Sequence, residues 1–275
     1  SHQPTVSFYY SSVTLLAGST LFKDLKTICS LASAAVGSTK LSALGKTPDE
    51  IQTFLQPIAI DMHMIGNPWA NYNVYLSTIM VPGLLLLFVF LITPYSIGTE
   101  LKFGRSKEWL ALANNNICVA LAGKLLPHTL VFLSVFYGFE FYVFHVLDFP
   151  HPGGVAPLLL SGFLAVVASQ CFGVFVFGLM PSLRMSMSIC SLWAVLSFSV
   201  CGATYPVFSM DSMLEAMAQL FPLRHYYMIY KISIFNDFPL TDCALNIGAL
   251  AIFIALPLLT VRNLRRAMLE YVYIP

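Results

Sequence analysis

Charged residues are scarce in this chain. Only 10% of its 275 residues are Asp, Glu, Lys or Arg, while 57% are hydrophobic. A soluble globular domain carries about 25% charged residues. With a mean hydropathy of +0.77, the chain reads as an integral membrane protein with the lipid bilayer as its solvent. The net charge of +1 gives no basis for binding nucleic acid. Motifs of catalysis are missing as well: there is no HExxH and no GxSxG. The phosphate loop GxxxxGK[ST] is also absent, so this chain cannot hold ATP in the P-loop way. If ATP drives it, the motor is a separate polypeptide. The cysteines (Cys29, Cys118, Cys171, Cys190, Cys201, Cys243) form no CxxC pair and have no His at ligand spacing. Most fall in or beside apolar runs, where a thiol behaves as a small hydrophobe. They are therefore read as neither metal ligands nor a disulfide. The N-terminus shows no initiator Met and no signal-peptide pattern.

Apolar runs are what the chain has in abundance. Five are long enough for a hydrocarbon core of about 30 Å, which needs about 20 helical residues. They lie near Tyr75–Ile97, Leu125–Leu147, Val155–Met180, Met185–Phe208 and Asn246–Val261. The expected fold is mainly α and polytopic, with a transmembrane domain over 73–275. Between the first two spans lies the longest polar interruption, Glu100–Pro127, with a connecting segment over 98–123. A second polar stretch, 209–245, precedes the last span, and its Met213–Leu220 part reads as an interfacial helix.

Basic residues set the orientation. Lys102, Arg105, Lys107, Lys124, Arg184, Arg262, Arg265 and Arg266 flank one side, and Arg224 and Lys231 the other. The first side is therefore expected to face the cytoplasm. Residues 1–72 form a head on the opposite, extracytoplasmic side, as does the loop 209–245. In that head Val6–Tyr10 is β-like, and Leu15–Val36 carries apolar positions at helical spacing. Thr47-Pro48-Asp49-Glu50 is a helix start, and Gln56–Met64 looks extended. A mixed α/β module, incomplete at its N-terminus, is expected. Because something must carry the head across, a first span before Ser1 is expected, giving six in the full protein.

Several polar residues invite a functional reading. Glu140 lies inside the second span, where a carboxyl is a functional candidate by default. It either hydrogen-bonds a neighbouring span or belongs to a translocation path. Gln170 in the third span has the same two readings, with interhelical bonding the simpler. Arg224, His225 and Tyr226 form a dense polar-aromatic group, read either as an interfacial anchor or as an outer gate. Pro94, Pro157 and Pro257 are read as kinks or span ends.

Some of these features together resemble the type-2 ABC exporter permeases, in the branch with a large extracytoplasmic domain after the first span. Asn67-Pro68-Trp69-Ala70-Asn71-Tyr72, followed by Val81-Pro82-Gly83-Leu84, looks like that family's approach to its second span. Glu100, Gly104 and Glu108-Trp109-Leu110 resemble its cytoplasmic segment. Gly123-Lys124-Leu125-Leu126-Pro127 resembles the G-K-x-x-P that opens its third span. Phe221-Pro222-Leu223-Arg224-His225-Tyr226 resembles an element before the final span. Lys102, Arg105 and Ala113-Asn114-Asn115 depart from the pattern.

The resemblance implies a permease subunit of an ATP-driven exporter in a bacterial inner membrane, with no catalysis of its own. It implies an ATP-binding cassette subunit that holds ATP and Mg, a second permease in a homo- or heterodimer, and a periplasmic membrane-fusion adaptor. No cofactor is expected in this chain. Residues 100–113 would be the coupling helix, with Glu100, Leu101, Gly104, Arg105, Glu108 and Trp109 at the docking surface. The cargo would be an amphiphile such as a drug or lipid, as in multidrug efflux. Two other classes stay open: a non-transporting sensor or assembly subunit, and an intramembrane enzyme using Glu140, His145 and Asp148.

Overall fold

The computed structural model describes residues 5–11, 15–46, 51, 59–65, 71–203, 205 and 207–271. Two compact units divide the chain, Ser1–Tyr75 and Leu76–Pro275. In the first, β1 (Thr5–Ser11) and β2 (Ala59–Ile65) pair in parallel, Thr5 opposite Ala59 and Ser11 opposite Ile65. Parallel neighbours need a long crossover, and the 29-residue helix α1 (Leu15–Ala43) lies in it. Tyr9 and His63 stack across the pair with ring centres 4.7 Å apart. The expected helix is present but runs seven residues beyond Val36. Leu21, Ile28 and Leu31 of its apolar stripe stay exposed, because a two-stranded ribbon is too narrow to cover about eight helical turns. The helix start read at 47–50, the first part of the extended segment at 56–58, and residues 67–70 of the motif before the first span lie outside the described residues.

The second unit is helical. After α2 (Tyr72–Lys102) come the short α3 (Ser106–Leu112) and α4 (Ile117–Phe141), which continues as a π-helical turn, Tyr142–Val146. Then follow α5 (Val155–Leu179), α6 (Leu183–Val200), α7 (Ser212–Ala218) and α8 (Pro222–Ile229), the last running into a second π turn, Tyr230–Phe235. A 3-10 turn, Leu240–Cys243, leads into α9 (Ala244–Ala255) and α10 (Pro257–Glu270). Among the described residues five helical runs are long and apolar enough to cross a membrane: α2, Ile117–Val146, α5, α6 and Leu240–Glu270. They match the five expected spans in number and order.

Their boundaries differ in an instructive way. The polar interruption is shorter than its sequence suggests, since α2 continues through Glu100 to Lys102 and α4 begins at Ile117. Pro127 does not open that span but sits inside it. Asn116 starts it instead, its side chain accepting from the N–H groups of Cys118 (3.0 Å) and Val119 (3.4 Å). The fourth span stops at Val200 rather than Phe208. Pro94 lies within α2, Pro157 in the first turn of α5, and Pro257 separates α9 from α10.

The core is arranged around α5. Of its most apolar stretch 61% is buried, against 22% for Ile117–Val146 and 11% for Leu240–Glu270, so α5 is the hub and those two lie outside it. Small residues let neighbours close in on it. A Cβ added at Gly162 would stand 2.5 Å from the Phe136 ring of α4, and one at Gly178 would stand 2.5 Å from Thr260 Oγ1 of α10. Ile97, Leu101, Leu110, Ile117, Leu121, Phe177, Leu264 and Met268 then join the ends of α2, α5 and α10 to α3 and the start of α4. This is the basic end of the bundle. At the distal end, Gly153 gives its N–H to Ile234 O at 3.1 Å, and the loop there presses on the second π turn.

That approach is testable. A Cβ at residue 153 would stand 1.7 Å from the Ser233 carbonyl oxygen, whereas one at Gly123 meets nothing within 4 Å. We expect Gly153→Ala to cost about 1–3 kcal/mol and to lower the unfolding midpoint in detergent. Gly123→Ala should leave the midpoint unchanged or raise it. Equal midpoints would contradict the packing described.

Candidate functional site

At the basic end the chain leaves α2, makes a tight turn and lays α3 across the bundle. Gly104 permits the turn with φ of 69°, a region that disfavours side chains. After α3, Asn114 and Asn115 adopt φ of 51° and 58°, a conformation Asn tolerates better than most residues. The inner face of α3 is set by Leu110, which is fully buried, and Ser106. Lys107, Glu108, Ala111 and Leu112 face outward. Leu112 is 89% exposed and Phe103, in the preceding turn, 62%. Both stand among the exposed charges Lys102, Arg105, Lys107 and Glu108.

Three side chains mount α3 on the bundle. Lys124 of α4 donates to Glu100 of α2, 24 residues away, and both are largely shielded from solvent. The Lys124 ammonium also lies 5.6 Å from the centre of the Trp109 ring. A cation between a carboxylate and an aromatic face satisfies both partners. Arg105 stands on the edge of this group, 3.9 Å from Glu100, and is exposed. Of the residues expected at the docking surface, Glu108 is exposed on α3 and Trp109 half-buried beneath it. Gly104 and Arg105 form the turn, while Leu101 is packed in the core and Glu100 belongs to the span. The 14-residue coupling helix read at 100–113 is thus a seven-residue helix held by the end of a span. The Lys124 partner of Glu100 was missed, although both residues had been marked.

A second polar centre lies near the distal end. Glu140 is 3% exposed, and its Oε1 accepts from the Tyr226 hydroxyl at 3.2 Å. Burial first, and the Glu140 charge second, hold the Tyr226 phenol well above its usual pKa, so it remains a donor. Phe136 meets the Tyr226 ring edge-on at 5.7 Å. Gln170 does not join this centre. It accepts from Thr129 Oγ1 at 2.6 Å, bonding α5 to α4, at a point eleven residues or about 16 Å of helix rise from Glu140. There it lines an open-sided groove of about 310 Å³ with Leu121, Leu125, Val174 and Val261.

Arg224, His225 and Tyr226, adjacent in sequence, point to three different neighbours. Arg224 Nη1 donates to Cys201 O at 3.1 Å, and burial lowers its pKa. His225 Nε2 lies 2.9 Å from Gln219 O. Its Nδ1 faces the Asn246 side chain of α9 at 3.1 Å. Burial, aided by Arg224, also lowers the pKa of Lys231 in the following turn. Tyr226 turns to α4. The α8 helix is therefore built into the bundle, with His225 and Tyr226 buried. Glu140 and His145 share a cavity, but Asp148 is not in its lining and is exposed. Among the described residues no three His, Cys, Asp or Glu side chains gather at metal-binding range.

Five spans, a polar surface helix braced on the basic end, and a buried carboxyl–phenol contact define a multi-pass helical membrane protein. Residues 1–261 match the family described as ABC-2 family transporter protein. The chain belongs to that family and is the membrane permease component of an ABC transporter, with an ATP-binding cassette subunit as partner. No curated protein and no solved structure matches it.

The brace can be measured directly. Glu100→Gln or Lys124→Met alone leaves a shielded charge without its partner, and the double variant removes both. A thermal-unfolding double-mutant cycle should give a coupling of about 1–3 kcal/mol. A coupling near zero would mean that the pair does not mount α3.

Proposed function

We propose that this chain is an exporting permease of a bacterial inner membrane, moving an amphiphilic drug or lipid out of the cytoplasm or inner leaflet. The observation that carries this reading is α3, a short helix with an exposed mixed face, fastened at Glu100, Trp109 and Lys124 to two spans. Seven of the eight basic residues at its end of the bundle are exposed, which supports a cytoplasmic position. Residues 1–72 then lie outside the cytoplasm, where they can meet a periplasmic adaptor.

The working unit is two permeases, identical or different, with two ATP-binding subunits that hold ATP and Mg. Lys107, Glu108 and Leu112 fit a groove on the ATPase. When nucleotide closes the ATPase pair, the push on α3 passes through the Glu100–Lys124 brace into α2 and α4 together. A rigid-body shift of those spans changes which side of the membrane the cargo path faces. Along that path Gln170 and Glu140 are two polar stations, one above the other on the α4 side of α5. His225 and Tyr226 hold α8 against α9 and α4 as the outer gate, with Arg224 fixing its start.

The test uses the native complex. Leu112→Asp and Glu108→Lys alter only exposed side chains, so the unfolding midpoint should stay within about 0.5 kcal/mol of the wild type. Co-purification of the ATP-binding subunit and cargo-stimulated ATP hydrolysis should both fall at least tenfold. If no ATPase co-purifies with the unaltered chain, or if both variants keep full coupling, this reading fails.

A further inference from the structure

The cavity beside Glu140 has chemistry that the transport reading alone does not use. It measures about 250 Å³ and is walled by Tyr137, Phe141, Phe144, His145 and His151, with Glu140 at its polar side. Its rings are fixed. Tyr137 donates to Leu159 O at 2.8 Å, and His151 Nδ1 lies 2.9 Å from Phe149 O. His145 stacks on Phe141 with centres 5.0 Å apart, and Phe144 meets His151 at 5.1 Å. The wall includes the π turn Tyr142–Val146, a distortion found often at functional sites. Glu140 uses Oε1 for Tyr226, while Oε2 has no partner among the described residues and is not among the sealed polar atoms. No lysine or arginine among the described residues pairs with it.

A carboxyl in a low-dielectric cavity without a counter-charge is costly unless something supplies one. The rings of Tyr137, Phe141 and Phe144 around it attract cations for an independent reason, the negative face of each of these rings. We propose that this cavity binds a lipophilic organic cation, an ammonium group on an apolar body, with Glu140 Oε2 facing the charge and the rings packed around it. An anion would meet the carboxylate at close range. A neutral guest would leave Oε2 unpaired, and one carboxylate among rings offers too few oxygens for Ca²⁺ or Mg²⁺. The inference names a cargo class and in that respect rests on the export reading, but binding itself does not.

The full chain in lipid nanodiscs provides the test, with protein-free nanodiscs subtracted. Tritiated benzyltrimethylammonium and its uncharged isostere neopentylbenzene differ in the charge and little else. The unaltered protein should bind the cation saturably and at least tenfold more tightly than the isostere. Glu140→Gln should erase that preference without changing binding of the isostere. Phe141→Leu removes one exposed wall and serves if Glu140→Gln fails to fold; it should weaken the cation alone by about three- to tenfold. Equal binding of the two probes by the unaltered protein, or an undiminished preference in either folded variant, overturns the proposal. That result would leave ATPase coupling at α3 untouched, just as loss of ATPase co-purification would leave a cation site standing.

Discussion

A carboxyl buried six residues short of the end of a span dictates how the distal half of this bundle is built. Glu140 is buried and pairs with no lysine or arginine among the described residues, so a hydrogen-bond donor is brought to it from elsewhere in the chain. The donor is Tyr226, 86 residues on, and to deliver it the chain folds α8 back against α4, α5 and α9. A π turn follows each partner of this contact, and Phe144 of the first packs on Tyr230 of the second at 6.3 Å. Gly153 lies against the second of them. His225 and Arg224 then fix α8 at its other faces, so that one polar contact and its supports organise the distal end.

The basic end solves a different problem. It has to present charges to water while staying attached to apolar helices. Lys107 and Glu108 do the first, and Lys124 the second, its shielded ammonium sitting between Glu100 and Trp109. Leu110, packed among Ile97, Ile117, Phe177 and Leu264, holds the inner face of α3. The outer side is left with Leu112 and Phe103 exposed.

Much of the architecture was legible in the sequence because lipid imposes a simple rule: a long apolar run must be a helix. The five spans and their order follow from that alone. Their ends do not, since Glu100 and Lys124 look like boundaries until it is seen that each neutralises the other, allowing α2 and α4 to extend past them. Glu140 stood out by being charged where charge is rare. Its partner could not be read, because Tyr226 sits in a group that also looks like an interfacial anchor, and nothing local reveals which neighbour each side chain faces. The parallel pairing of β1 with β2 was hidden for the same reason, as strand register depends on partners far apart in the chain.

The break at Pro257 has a mechanical consequence. A proline cannot donate to the carbonyl one turn behind it, so the last span is not one stiff rod but two, α9 and α10, joined at Leu256. The rod at the basic end is packed with α3 through Leu264 and Met268, and bonded to the end of α5 by Asn263 on Gly178 O. The other rod is bonded to α8 through Asn246. The joint lets α9 and α10 differ in tilt, so a shift at the basic end need not be copied at the distal end.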